Sequence, residues 1–301
     1  MQYKKHVHIF VGEFSYAMNW HSPRLRAQLI NNADHIVVTY PAFSMLYSNY
    51  VDVHVLPIDL ISKCAWPATI GLHDPQRGDI TPEFLKEYCR KIFPDALIHT
   101  PERINALENN PPGIFRHLIP NENIKSDILN LLSSWSSHDT ICIMPKLRTK
   151  GGSSGQNWQK QDWIDLCNDL IRRNYNIVSI NIVDNESHGG SYQLDIDSNK
   201  FKVLNIEKND EYALDRQAWL LKQTKCSIYG STGAANFPFW VNTPTIAIMK
   251  TNCGKRLFFD WQKQLTNNHK NNDIILIDDL STVRYHDIAE RIILHLDKLS
   301  N

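Results

Sequence analysis

The sequence offers no net charge, no closely spaced cysteine pair and no apolar stretch long enough to cross a bilayer. Its 32 lysines and arginines balance 32 aspartates and glutamates. That removes the global basic field that would point to DNA or RNA as the main partner. The six cysteines, at 64, 89, 142, 167, 226 and 253, include no Cys-x-x-Cys pair. Zinc and dithiol motifs are therefore excluded, and reduced core thiols are expected. No run approaches the roughly 20 apolar residues of a transmembrane helix. The opening Met1-Gln-Tyr-Lys-Lys-His leads into a strand-like run of only about six residues, too short for the apolar core of a secretory signal. The expected location is cytoplasmic, with peripheral contact at a membrane left open. The 13 histidines include no His-Glu-x-x-His, so no metal or other cofactor is expected.

What the chain does contain is an alternating α/β rhythm. Hydrophobic residues make up 42% and charged residues 21% of its 301 positions, a balance that fits two folded domains of ordinary size. Near the start, 6–11, 34–40 and 51–56 read as strands, with helices predicted over about 23–30 and 41–50. This β-α-β-α-β order predicts a doubly wound parallel sheet. Residues 62–82 read as a long irregular excursion. Thr81-Pro-Glu-Phe carries a Thr cap, a Pro at the first helical position and an acid in the first turn, so a helix to about 92 follows. Ser136-Ser-His-Asp139 marks a boundary between domains 1–135 and 136–301. Beyond it the rhythm restarts: strands over 140–144, 176–183, 201–206, 226–229, 245–249 and 273–278 alternate with helices over 159–173, 210–223 and 234–240. The chain closes on a helix over 282–299, with Ile288, Ile292, Leu296 and Leu299 at helical spacing.

Two connections in the second half carry chemistry. Strand 226–229 runs into Gly230-Ser-Thr-Gly233, a small-residue turn that opens a helix near Ala234. A helix start presents unpaired N–H groups and partial positive charge, a natural seat for phosphate. The same turn also reads as a tight connection with a Ser or Thr cap. Strand 140–144 runs into Pro145-Lys-Leu-Arg-Thr-Lys150 and a Gly/Ser loop over 151–155. That puts Lys146, Arg148 and Lys150 at the carboxyl end of a strand, where open α/β sheets bind ligands. A solvated charged connection is the alternative reading of this loop. Trp158 and Trp163 read as core anchors of the helix that follows. Glu207–Asp210 reads first as a solvated helix cap.

As an ordered set, Lys146, Arg148 and Lys150, then Asn157-Trp158 and Trp163, then Gly230-Ser-Thr-Gly-Ala-Ala-Asn236, then Asn242-Thr-Pro-Thr245, the second half resembles the nucleotide-sugar domain of GT-B glycosyltransferases, in particular their heptosyltransferase-like branch. The likeness spans about 140–250. It departs from the family pattern where Asn242 replaces the usual glycine, a residue that also tolerates left-handed backbone. The resemblance implies two Rossmann-like parallel-sheet domains facing a cleft. It also implies transfer of a sugar from a nucleotide-sugar donor to a glycan or other hydroxyl acceptor, with inversion and without a metal.

The departing diphosphate needs its charge neutralised, which cations and helix-start donors can do. Lys146, Arg148 and Lys150 are the expected cations, and Ser231, Thr232, Gly233 and Ala234 the expected hydroxyl and backbone donors. Inversion requires a base for the acceptor proton. Glu13, just past the first strand, is the leading expectation, with His21 in the same loop and Asp74, beside His73, as the second. Two other readings stay open: a nucleotide-sugar epimerase or hydrolase, and a non-catalytic sugar-nucleotide or glycan-binding protein of the same fold. A dinucleotide oxidoreductase is disfavoured, because Gly12-Glu-Phe-Ser lacks the Gly-x-Gly-x-x-Gly spacing of a pyrophosphate-binding first turn.

Overall fold

A computed structural model describes residues 5–11, 17–29, 33–61, 82–100, 116–147, 155–182, 190–207, 210–251 and 272–300. Glu13, His73, Asp74, Arg148 and Lys150 lie outside these residues. The strands, all in parallel pairing, are β1 (Lys5–Phe10), β2 (Asp34–Thr39), β3 (Asp52–Val55), β4 (Leu97–His99), β5 (Thr140–Met144), β6 (Asn176–Ile182), β7 (Phe201–Ile206), β8 (Cys226–Tyr229), β9 (Thr245–Lys250) and β10 (Asn272–Ile277). The helices are α1 (Ser22–Gln28), α2 (Ile58–Ile61), α3 (Pro82–Ile92), α4 (Lys125–Leu132), α5 (Lys160–Arg172), α6 (Ala213–Lys222), α7 (Phe237–Trp240) and α8 (Tyr285–Lys298).

The chain packs as two units, one comprising Met1–Leu118 with Asn209–Tyr212 and the other Ile119–Lys208 with Ala213–Asn301. Each is built on its own parallel sheet, with strand orders β3-β2-β1-β4 and β10-β9-β8-β5-β6-β7. The stretch from Ile119 joins the second unit through specific bonds to α6. The Asn121 backbone N–H donates to Asp215 Oδ1 at 2.6 Å, Trp219 Nε1 donates to the Asn121 carbonyl at 2.8 Å, and Arg216 pairs with Asp127 at 2.7 Å.

In the second unit every residue of β5 and β8 is buried, as strands covered on both faces require. Ile141, Ile143, Ile177, Ile228, Ile246 and Ile248 form one face of the core, closed by Trp163, Leu166 and Leu170 of α5 and by Ile288, Ile292 and Leu296 of α8. Burying each such side chain contributes about 1.5–3 kcal/mol. Asp162, 2% exposed, joins the two helices: its carboxylate accepts the Tyr285 backbone N–H at 2.9 Å and Arg284 Nη1 at 3.4 Å. α8 starts three residues later than its periodicity suggests. Asp279–Thr282 forms its own turn, with Asp279 accepting from the Ser281 backbone and hydroxyl, and at the helix start the Arg284 backbone N–H donates to Asp287 Oδ2 at 2.9 Å while its carbonyl accepts the Asp287 N–H at 3.0 Å. Cys89, Cys142, Cys167 and Cys226 are buried free thiols, and burial pushes Cys226 up to about 12.

In the first unit, the segment 41–50, expected as an α-helix, is a 3₁₀ segment over Pro41–Leu46 followed by a turn. Ala42, Phe43, Met45 and Leu46 are all buried. With four of six side chains needing cover, the segment lacks the single apolar stripe of a surface α-helix. The helix expected near 23–30 is α1, preceded by a π-helical turn over Ala17–His21.

Candidate functional site

In the second sheet the chain leaves β5 toward β6 and β7, then returns to place β8 on the other side of β5. The carboxyl ends of β5 and β8 therefore form the sheet's topological switch point, where outgoing loops diverge and leave a crevice. Lys146 follows β5 there, and Gly230-Ser231-Thr232 follows β8. The two connections touch. A Cβ on Gly230 would lie 3.0 Å from Lys146 Cβ, 3.4 Å from the Lys146 nitrogen and 3.3 Å from Cζ2 of Trp163. A side chain there would crowd the Lys146 Cβ and the Trp163 indole.

Lys146 is 5% exposed and held from both sides. It bridges Ser191 in antiparallel fashion, the Leu147 N–H donates to the Gly190 carbonyl at 3.0 Å, and the Tyr192 N–H donates to the Pro145 carbonyl at 2.8 Å. Ser231 is also buried, its hydroxyl oxygen accepting the Lys250 backbone N–H at 3.4 Å. Thr232 caps the next segment, its Oγ1 accepting the Ala234 N–H at 3.3 Å. The Ala234 amide is thus engaged within the turn. Gly233 opens a 3₁₀ turn, Gly233–Asn236, that runs into the buried α7. Of the expected donor-site residues, Lys146, Ser231, Thr232, Gly233 and Ala234 all lie on these two adjacent connections.

Three features of this edge escaped the sequence. Lys250, the last residue of β9, is the first. The position of a Cβ on Gly155 would be 3.2 Å from Lys250 Nζ and 2.8 Å from Asp279 Oδ1. Gly155 has φ +68°, a backbone conformation that calls for glycine at the end of the Gly/Ser loop. Asp279 is held below the usual carboxylate range by the Ser281 hydroxyl and backbone N–H and by the charge of Lys250.

The second and third are the asparagines Asn181 and Asn205, in register on β6 and β7, with Asn181 Nδ2 donating to Asn205 Oδ1 at 2.7 Å. Ser191 extends the network, donating to Asn181 Oδ1 at 3.1 Å and accepting the Ile182 N–H at 2.7 Å. One signal was available: each asparagine interrupts an apolar strand end, Ile180-Asn-Ile182 and Leu204-Asn-Ile206.

Trp158 and Trp163 are 1% and 0% exposed and meet edge to face at 5.0 Å. They are core anchors, Trp158 Nε1 donating to the Val283 carbonyl at 3.0 Å. In the first unit His21 is occupied structurally. Its ring lies 4.6 Å from Phe10, its Nδ1 is 2.9 Å from the Tyr47 hydroxyl, and burial lowers it to about 3. Among the described residues, no group of three His, Cys, Asp or Glu side chains is disposed to hold a metal ion. Nor is any described helix long and apolar enough to cross a membrane.

The chain matches no protein-family model and no curated protein sequence. Solved structures do match. The ADP-heptose LPS heptosyltransferase II of E. coli superposes with a TM-score of 0.61 at 14% identity, over 99% of this chain and 100% of that one. A family 9 glycosyl transferase from Veillonella parvula gives 0.60 at 12% identity, over 99% and 98%. E. coli heptosyltransferase WaaC with ADP gives 0.53 at 12% identity, over 96% and 99%. At such identities the likeness is one of fold. The fold is heptosyltransferase-like, two parallel-sheet α/β units in a GT-B-like arrangement of elements along the chain.

Proposed function

We propose that this chain, with its heptosyltransferase-like fold, is a glycosyltransferase that moves a sugar from a nucleotide-sugar donor to a glycan or other hydroxyl acceptor. The observation that carries the reading is the switch point of the second sheet, where Lys146 lies against the Gly230-Ser231-Thr232 turn so closely that a side chain at Gly230 would crowd it. A buried cation beside hydroxyls and a tight small-residue turn is a seat for a diphosphate. Both units are read as Rossmann-like.

In this reading Lys146, with Arg148 and Lys150 of the same loop, faces the donor diphosphate, and Ser231, Thr232 and Gly233 supply hydroxyl and backbone donors. Ala234 contributes through the cap that shapes the turn. The acceptor oxygen forms its bond to the anomeric carbon opposite the leaving group. The carbon–oxygen bond to the diphosphate breaks, its electron pair staying with the diphosphate, and the configuration inverts. Glu13 takes the acceptor proton, with Asp74 the second candidate. Side-chain cations and hydroxyls, rather than a metal, offset the developing negative charge.

The test is a thermal-shift titration with ADP, UDP, GDP, CMP and dTDP, with and without magnesium, on the wild type and Arg148→Ala. ADP comes first, since it is the nucleotide in the WaaC structure named above. The expected result is a rise in Tm with one nucleotide, equal with and without magnesium and lost in the variant. A shift that needs magnesium overturns the metal-free mechanism, and no shift at all overturns the donor site. Donor turnover without acceptor would indicate a hydrolase instead.

A further inference from the structure

The first sheet contains a cluster of side chains that the proposed reaction does not use. His6 and His8 point to one face of β1, and parallel pairing sets His35 of β2 beside His6 and His99 of β4 beside His8. The four rings form two hydrogen-bonded pairs. His6 Nδ1 is 3.0 Å from His99 Nε2, and His8 Nε2 is 3.1 Å from His35 Nδ1. Within each pair the rings are nearly parallel, at 8° and 17°. Across pairs, His8 lies 4.7 Å from His99 and His6 lies 5.2 Å from His35. The facing nitrogens already share a hydrogen bond, so they do not converge on a metal.

Such an array has a fixed proton capacity. Each N–H···N bond needs one donor and one acceptor, and is lost when both facing nitrogens carry protons. A second charge also meets a like charge about 5 Å away. The groups acting on His8 are all imidazoles: His99, His21, His35 and His6. Those acting on His99 are His6 and His35. Lys5 and Asp34, the charged residues next along β1 and β2, alternate onto the opposite face. On that opposite face α3 brings the buried Leu85 and Cys89, and His54 of β3 meets the Tyr88 hydroxyl at 3.1 Å.

We propose that this imidazole array is a proton-operated switch that loosens the first unit in mild acid while the second unit stays folded. The sign follows from linkage. Burial, then the neighbouring imidazoles, lower folded His8 to about 3, and the same causes lower His99. An unfolded histidine titrates near 6.5. Below that value the unfolded first unit binds more protons than the folded one, so its stability is complete above about pH 6.5 and is lost as pH falls toward the folded values. Each extra proton bound on unfolding weakens protection about tenfold per pH unit.

The experiment is hydrogen–deuterium exchange of the whole chain from pH 7.5 to 5.0, corrected for intrinsic amide exchange and read by mass spectrometry. Peptides covering Lys5–Phe10 and Asp34–Thr39 should lose about tenfold protection or more between pH 6.5 and 5.0, while those covering Thr140–Met144 and Cys226–Tyr229 hold steady. His8→Gln combined with His99→Gln should make that slope shallower, leaving the part contributed by His21, which burial also lowers. A first unit with constant protection, or one that changes in parallel with the second, overturns the proposal. Exchange at the histidine ring carbons gives a second readout that needs no variant: His8 should titrate well below 6.5, and an ordinary midpoint for His8 overturns the switch.

Discussion

The first sheet carries four imidazoles across the face of three strands, whereas the second keeps Thr140–Met144 and Cys226–Tyr229 buried and gathers its cations and hydroxyls beyond their carboxyl ends. The position of the polar groups separates two uses. On the sheet face, half-buried imidazoles hydrogen-bond to one another, so their protonation is tied to folding. Past the strand ends, backbone turns hold the polar groups without interrupting the core, and a ligand can reach them.

That contrast breaks most readily at Gly230. Gly230→Val places side-chain atoms against Lys146 and Trp163. The expected result is more than a tenfold loss of nucleotide affinity by calorimetry, together with about 1–3 kcal/mol lower stability of the second unit from overpacking. Exchange in β1 and β2 should not change. If nucleotide affinity survives, the switch point is not the donor site.

Lys146→Met sharpens the contrast by keeping the stem and removing the charge. One charge-assisted contact is worth about 1.5–3 kcal/mol, roughly a tenfold to hundredfold weaker Kd in the same titration. An unchanged Kd would reduce the loop to a solvated connection.

Asp162→Ala is the smallest of the three. It removes the carboxylate that caps α8 from α5, and about 1–2 kcal/mol should be lost, measured by denaturation followed through Trp158 and Trp163. A cost confined to the first unit would contradict the packing described for Asp162.

How much of this was readable in the sequence depends on whether the signal is local. β5 and β8 stand out because short apolar runs end at Pro145 and Gly230, and both strands lie where the sequence puts them. Trp158 and Trp163, just before and within α5, read correctly as core because large aromatics at a helix start more often anchor it than stack on a base. Asn181 against Asn205, Ser191 on Asn181, and Lys250 beside Gly155 depend on strand register and on loops meeting across many residues. The imidazole array is the clearest case. His6 and His8 visibly alternate on one strand, but their partners come from β2 and β4, and no local pattern announces His35 or His99. The 3₁₀ segment over Pro41–Leu46 was missed because its burial is set by tertiary packing rather than by a stripe of its own.

The strand order of the second sheet also bears on synthesis. β5 is made early, yet one of its two neighbours, β8, is the fourth strand of that sheet to leave the ribosome. Until residue 229 has emerged, Thr140–Met144 is the exposed edge of a partial sheet, with no charge along it to deter pairing with another chain. The turn at Gly230 that closes the edge is also the turn that faces Lys146. A nascent chain therefore gains the turn at Gly230 and loses the open edge of β5 within the same few residues.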